Sequence, residues 1–466
     1  VTGAAHFPAS IDARTVTQIR EAVTAVLTHG DDLFLVRRQP YLPAFSGYWA
    51  FPGGKVDKAD SAEALAHPLL RGHPPQLLRA LARELDEELG YDLFSAVHAG
   101  EVLSVTHIGE ATTPDFQVLR YRTHFFRIDL RHAPALTVDQ NEAAESAWRP
   151  AADWEQRFRH GRLLTAPPTR NVIRWLADDA AHRTALPDFD YHVDVNLHMP
   201  WVEQLAGLRI LLVRSNTLPP ADRTNCFWLG DSGSRRVLID PSPASREELA
   251  RLCTVIDEFG VDEVFLTHHH PDHREYANEI ARRYRVPIAM SADTRARIER
   301  RSPGFFEGLT VKRYAEGDVL TTWLGEKVVL YAVPGHDEGQ LAVMPESRSW
   351  CIVSDLIQGI GTVVVGGPEG NMRKYFDSLQ RVIDWDPAVI IPSHGMALGT
   401  THRIRETLQH RIKRESQILE LHQTGAAPEA MLPIIYAGLD PRLTPLALLN
   451  INSHLQKLRD EGRLPS

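Results

Sequence analysis

Residues 267–273 read Thr-His-His-His-Pro-Asp-His, and His268, His270, Asp272 and His273 crowd transition-metal ligand types into one short stretch. Imidazole and carboxylate are the ligands of catalytic zinc, and such a site needs several of them converging on one point. The preceding Val264-Phe265-Leu266 is a short apolar run of the kind that forms a buried strand. The ligands are therefore expected on a loop at a strand end, where a rigid scaffold presents reactive groups. The pattern recurs along the chain. Val237-Leu238-Ile239 runs into Asp240, and Tyr331-Ala332-Val333-Pro334-Gly335 into His336. Cys351-Ile352-Val353-Ser354 runs into Asp355, and Val389-Ile390-Ile391-Pro392-Ser393 into His394. One sheet could deliver all of these residues to one edge.

This ordered set, with its His-x-His-x-Asp-His core, resembles the metallo-β-lactamase fold superfamily over roughly residues 207–400. Residue by residue, the resemblance implies a two-metal site. His268, His270 and His336 would hold one ion, and Asp272, His273 and His394 the other. Asp355 would bridge them, and Asp240 would orient the ligand histidines. Zinc is the expected metal, with manganese or iron as alternatives. Two divalent ions close together lower the pKa of a bridging water and polarise the substrate oxygen. The expectation is hydrolysis without a covalent enzyme intermediate, with Asp272 counted among the catalytic residues.

Composition limits the partners. The chain has 466 residues, enough for two or three domains. Its 43% hydrophobic and 24% charged content is that of a globular protein. A formal net charge of -9 argues against a general nucleic-acid binder, because no overall basic field attracts phosphates. Cys226, Cys253 and Cys351 are too few and too scattered for a disulfide framework. No apolar run reaches membrane-spanning length and no signal-peptide pattern opens the chain, so a cytoplasmic location without membrane association is expected.

A second constellation lies in residues 20–180. Glu21–Thr28 and Leu33–Arg38 read as two strands about a turn at His29-Gly30-Asp31-Asp32. Trp49-Ala50-Phe51-Pro52-Gly53-Gly54 is a breaker-rich loop. Leu81–Leu89 then reads as a helix stopped by Gly90. Glu84, Glu87 and Glu88 share one helical face, beside an apolar stripe of Leu78, Leu81, Leu85 and Leu89. Three crowded carboxylates repel one another unless a cation neutralises them, and hard oxygen ligands suit magnesium or manganese.

Gly54 followed by Arg83, Glu84, Glu87, Glu88, Gly90 and Tyr91 resembles the box of the Nudix hydrolases. Two departures stand out. Asp60 occupies the place of an early glutamate, and an insert of roughly Ser61 to Pro75, expected as a loop or short helix, interrupts the box. An interrupted box, together with Leu164–Arg170, resembles the coenzyme A diphosphatase branch. The resemblance implies that the three glutamates hold a metal against a diphosphate and that Arg83 pairs with one of them. It makes Arg83, Glu84, Glu87 and Glu88 the expected catalytic group. Arg37 and Arg38, at a strand end near the box, are candidate phosphate contacts.

The expected class is thus α/β throughout. A Nudix α/β/α sandwich (1–180) is followed by an interdomain connection (181–206) that contains Pro187, Asp188, Asp190, Asp194, Pro200 and Trp201. A metallo-β-lactamase αββα sandwich (207–400) comes next. A helical tail (401–466) resembles the winged helix that follows the catalytic domain in one branch of that superfamily. Within the tail, Arg403–Thr424 reads as a helix, and Met431–Tyr436, Pro445–Asn450 and Ile451–Glu461 as two or three short ones.

The stretch between Asp355 and His394 is too short for the insertion that marks the β-CASP nucleases. The favoured expectation is a small-molecule hydrolase, cutting a thioester or ester in the manner of glyoxalase II, with a Nudix domain for nucleoside-diphosphate-linked or coenzyme A-type substrates. One alternative is a single-strand endoribonuclease, with RNA as partner. Another makes the Nudix half a non-catalytic binding or dimerisation module, in keeping with a homodimer.

Overall fold

The computed structural model describes residues 19–114, 120–178, 186–189 and 198–465. They fall into two compact units. The first takes the described residues up to Leu42, those of Tyr48–Arg159, and those from Thr165 to Phe189. The second takes Pro43–Gly47, His160–Leu164 and the described residues from His198 onward. Asp190 and Asp194 of the expected connection lie outside the described residues.

The first unit is built on a six-stranded sheet. Its strands are β1 (Arg20–His29), β2 (Asp32–Arg38), β3 (Trp49–Ala50), β4 (Val102–Thr112), β5 (Tyr121–Leu130) and β6 (Ala143–Pro150). They run in the order β3-β2-β1-β5-β4, and β6 pairs with β2. The β1–β2 turn falls at Gly30, where φ is +56°, a backbone state that glycine adopts without steric cost. Val23, Ala25 and Leu27 alternate onto one face and meet Phe126 and Ile128 of the parallel neighbour β5.

That face carries helix α1 (Pro75–Leu89), whose Leu78, Leu81, Leu85 and Leu89 are fully buried. Gly90 ends the helix in the left-handed conformation, and the N–H groups of Gly90 and Tyr91 take the carbonyls of Asp86 and Leu85. The insert before α1 is mainly irregular and is anchored by Leu70, which joins the same core. Helices α2 (Leu93–His98), α3 (Ala151–Arg159) and α4 (Pro167–Ala177) complete the unit, with Trp154 of α3 donating to the Leu33 carbonyl at 3.0 Å.

The second unit holds two sheets. The first sheet opens with an antiparallel run, β7 (Trp201–Leu205), β8 (Leu208–Arg214) and β9 (Arg223–Leu229). It continues through β10 (Val237–Ile239) into the parallel set β11 (Glu263–Phe265), β12 (Ile288–Met290) and β13 (Val311–Arg313). Strand β7 lies inside the stretch expected to be connection. Its five residues alternate too weakly to stand out in the sequence, and pairing with β8 makes the strand.

Helices α5 (Arg246–Phe259), α6 (Pro271–Arg274), α7 (Ala277–Tyr284) and α8 (Ala292–Arg301) link the parallel strands. Leu238 and Val264 pack with Leu252, Ile256 and Ile280 of these helices. Ile239 and Phe265, of opposite parity, are equally buried and so face away from the helices.

The other sheet has the order β14 (Val319–Trp323), β15 (Glu326–Ala332), β16 (Leu341–Pro345), β17 (Cys351–Ser354), β18 (Val389–Pro392) and β19 (Leu398–Gly399). Helix α9 (Met372–Trp385) carries the chain between the parallel strands β17 and β18 and packs on Val353 and Ile390.

The tail is helical: α10 (His402–Gln423), α11 (Pro428–Ile435) and α12 (Thr444–Asp460). The last two short helices expected from the sequence are one continuous helix, because no breaker separates Asn450 from Ile451 and Pro445 sits in the first turn. Among the described residues, no helix is long and apolar enough to cross a membrane.

Leu85 seals the contact of α1 with its sheet. Leu85→Ala is expected to destabilise the first unit by about 2–5 kcal/mol. Urea unfolding monitored by hydrogen exchange should show its amides losing protection while those of the second unit keep theirs.

Candidate functional site

Five strands of the second unit end at the residues singled out by the sequence. Asp240 follows β10, His268 follows β11, His336 follows β15, Asp355 follows β17 and His394 follows β18. His270 is the N-terminal cap of α6, which carries Asp272 and His273. Asp240 and Ser354 both have φ near +50°, a costly state for residues with a Cβ that concentrates at functional sites.

The side chains gather into two groups. His268, His270 and His336 offer ligand atoms within 4.8 Å of one another, as do Asp272, His273 and His394. Asp355 lies between the groups. Its Oδ1 is 3.6 Å from His273 Nε2 and 3.4 Å from His394 Nε2, while its Oδ2 is 3.7 Å from His336 Nε2. Asp272 Oδ2 is 3.6 Å from His394 Nε2 and 3.9 Å from His273 Nε2.

Hydrogen bonds on the far side of each ring fix which nitrogen faces inward. His273 Nδ1 donates to Asp240 Oδ2 at 3.0 Å. His336 Nδ1 donates to the Val364 carbonyl and His394 Nδ1 to the Arg223 carbonyl, each at 2.8 Å. Thr267 spends its hydroxyl proton on Asp240 at 2.6 Å, so at 3.1 Å its oxygen accepts from His268 Nδ1. All four rings therefore turn Nε2 toward the centre.

His270 is reversed. Its Nδ1 is 3.0 Å from both His268 Nε2 and His336 Nε2, and its Nε2 donates to Glu369 Oε2 at 3.2 Å. Burial holds the imidazoles of His268 and His270 below the ordinary histidine range, and holds His336 down at about 4. Three unprotonated nitrogens facing one another at such distances repel unless a cation sits among them.

The second group gives the same indication differently. His273 Nε2, His394 Nε2 and Asp355 Oδ1 are buried without a hydrogen-bond partner. Burial opposes charge on His273, but Asp355 and Asp272 outweigh it and lift its pKa well above the usual value. Burial likewise opposes ionisation of Asp355, and His394 and His273 overcome it, leaving that carboxyl well below its usual range. A donor set of buried, inward-facing nitrogen and carboxylate oxygen fits divalent metal.

The sequence reading missed Glu369, His269, Asp337 and Arg301. Buried His269 places Nδ1 on Asp337 and Nε2 3.3 Å from Glu369 Oε2, whose other oxygen meets Arg301. His269 occupies the variable position of the His-x-His pattern, to which the pattern assigns no role. Glu369 lies in a glycine- and proline-rich loop that carries no strand-end signal.

The carboxylates of the first unit are arranged otherwise. Arg83 pairs with Glu84 at 2.7 Å, with Glu87 at 3.1 Å and with Asp60 at 3.2 Å. Asp60 is buried and thus serves as an arginine anchor. Glu88 Oε2 accepts the Gly53 N–H at 3.0 Å. Burial pushes the Glu88 carboxyl up to about 7, with nearby Arg38 pulling weakly the other way, and burial also raises Glu84. A Cβ at Gly53, where φ is +145°, would overlap the Val23 carbonyl, so that position requires glycine, while one at Gly54 would push the Glu84 carboxylate aside. Arg37 is engaged by Glu145 at 3.2 Å. Among the described residues, Glu84, Glu87 and Glu88 do not bring three ligand atoms within 4.8 Å of one another.

Comparisons with known proteins agree with this division. Residues 219–394 match the metallo-beta-lactamase superfamily, residues 18–176 the NUDIX domain and residues 427–464 the beta-lactamase associated winged helix domain. The first two are hydrolase families that bind divalent metals. The chain is 28% identical over 258 residues to the Beta-lactamase-like protein 2 homolog of Drosophila melanogaster, covering 52% of this chain and 84% of that one. It is 26% identical over 222 residues to the hydroxyacylglutathione hydrolase of Acidiphilium cryptum, covering 47% and 84%. A crystal structure of a beta-lactamase domain protein from Burkholderia ambifaria superposes with a TM-score of 0.48 at 21% identity, covering 59% and 93%.

Asp240 is the buried acceptor that orients His273. Asp240→Ala is expected to weaken one metal equivalent by about 10–100-fold, as loss of a ligand's partner typically does. Titration of metal-free protein against a chelating indicator measures it.

Proposed function

For a chain whose residues 18–176 match the NUDIX domain and whose residues 219–394 match the metallo-beta-lactamase superfamily, we propose thioester or ester hydrolysis at a dinuclear metal centre in the second domain. The observation that carries this reading is Asp355, whose two oxygens address separate ligand groups. His268, His270 and His336 would hold one ion, Asp272, His273 and His394 the other, and Asp355 both. Zinc suits this imidazole-rich set best.

When bound, the two ions acidify a water and polarise the oxygen of the bond to be cut. The chain's own residues supply position and surroundings. Asp240, the Val364 carbonyl and the Arg223 carbonyl lock three imidazoles in the tautomer that presents Nε2. Buried Thr267 and Ser354 complete the wall behind His268, and their hydroxyls are 2.7 Å apart. Burial excludes bulk water from the ligands, which strengthens every charge interaction among them. The hydroxyacylglutathione hydrolases among the relatives support a thioester as the substrate class.

In the NUDIX domain, Glu84, Glu87, Glu88 and Arg83 are the proposed acidic and basic groups for a nucleoside-diphosphate-linked or coenzyme A-type substrate, with magnesium or manganese as the metal. Arg38, near Glu88, would meet a phosphate. This domain affects substrate choice or assembly and contributes nothing to water activation in the other.

The test is a panel of acyl-coenzyme A thioesters, lactoylglutathione-type thioesters, dinucleotide diphosphates and short RNA, each with zinc or manganese. Thioester turnover is expected. Turnover of RNA alone would overturn the substrate class.

Two variants separate the domains. His270→Ala should cost several orders of magnitude in kcat on the thioester, and Glu88→Gln should leave it near wild type. Equal losses would show that the sites are coupled. On a dinucleotide diphosphate, Glu88→Gln should lower kcat by about 10²-fold or more, the scale of lost acid–base assistance. Unchanged turnover would remove Glu88 from the catalytic group.

A further inference from the structure

His270 differs from its neighbours in the manner of its support. The other four imidazoles are braced at Nδ1 by groups on strands, strand ends or the loop after β17. His270 turns Nδ1 inward and so leaves Nε2–H outward, needing an acceptor on the opposite side. Glu369 Oε2 is that acceptor, at 3.2 Å.

Glu369 has neighbours on two sides. Arg301, near the end of α8, takes one carboxylate oxygen. His269 Nε2 lies 3.3 Å from the other and its Nδ1 lies against Asp337 Oδ2, neither contact having hydrogen-bond geometry, while Asp337 Oδ1 accepts the Gly339 N–H at 2.9 Å. His269 and Asp337 are fully buried, and the Glu369 side chain is 14% exposed. The brace therefore starts next to His268 and His270 on one loop and next to His336 on another, and closes at Glu369.

We propose that Glu369 is the positioning residue for His270, and that Arg301 holds its carboxylate. The inference rests on the reading of His268, His270 and His336 as one ion's ligands. It adds an unassigned residue from the loop between β17 and α9. That loop serves the same ion twice, since its Val364 carbonyl also fixes His336. The tail steadies it: Asn450 Oδ1 accepts the Val365 N–H at 2.8 Å and Arg411 at 3.3 Å, and Arg411 also reaches the Val363 carbonyl.

A rival reading treats His269, His270, Asp337 and Glu369 as a cation site in their own right, since their ligand atoms lie within 4.8 Å. The local charges disfavour it. Arg301 already supplies the positive charge at Glu369, Asp337 Oδ1 is taken by the Gly339 N–H, and the remaining nitrogen of His270 carries the proton given to Glu369.

The experiment titrates metal-free full-length protein with cobalt(II), following visible absorption and competition with a chelating indicator. Wild type should bind two ions; binding of none would sink the dinuclear reading itself, independently of Glu369. With two bound, Glu369→Ala should weaken one ion by about 10–100-fold and leave the other unchanged. Glu369→Gln, which keeps an acceptor oxygen for His270, should recover part of that loss. Arg301→Ala, at a half-exposed position, should shift the same ion by less.

Three outcomes overturn the proposal: both ions bound as tightly as in wild type, both weakened equally, or three ions in wild type falling to two in Glu369→Ala. If the alanine variant fails to fold, Glu369→Gln and Arg301→Ala decide alone. Wild-type affinity in both then overturns it.

Discussion

The carboxylate of Asp355 is buried among imidazoles, and its Oδ1 has no hydrogen-bond partner. A buried charge without compensation is among the most expensive features a fold can carry. Here His394 and His273 supply the compensation, at the ends of a different strand and a different loop. Keeping those groups close requires β11, β17 and β18 to end in register, which the packing of Val264 against α7 and of Val353 and Ile390 against α9 enforces. The apolar cores on the outer faces of the two sheets thus set the geometry of the polar centre.

That dependence explains what could be read in the sequence. Asp240, His268, Asp355 and His394 each follow a short buried apolar strand, so strand and polar end announce each other, as at Val389–Pro392 before His394. Helix α1 was equally legible, because its leucine stripe, its carboxylate face and Gly90 all specify one helix. Other features carry no local signal. Glu369 reaches His270 across many intervening residues from a loop whose glycines and proline look like any surface turn. Strand β7 is made by its neighbour, and the fusion of the last helix reflects the lack of a stop after Asn450.

The two units differ in how their acidic groups are prepared. In the second, donors point inward and are fixed from behind, the arrangement of a preorganised centre. In the first, Arg83 gathers Asp60, Glu84 and Glu87, and Glu88 rests on a backbone N–H with its pKa near neutrality. The interrupted box thus holds Asp60, Glu84 and Glu87 in one ion-pair network around Arg83.

The central claim is that Asp355 lies between two bound ions. The most direct measurement is anomalous diffraction at the zinc edge from crystals of zinc-reconstituted protein. The account predicts two peaks flanking Asp355, one among His268, His270 and His336 and one among Asp272, His273 and His394. A single peak, or a second peak beside Glu369 instead of His394, would contradict it.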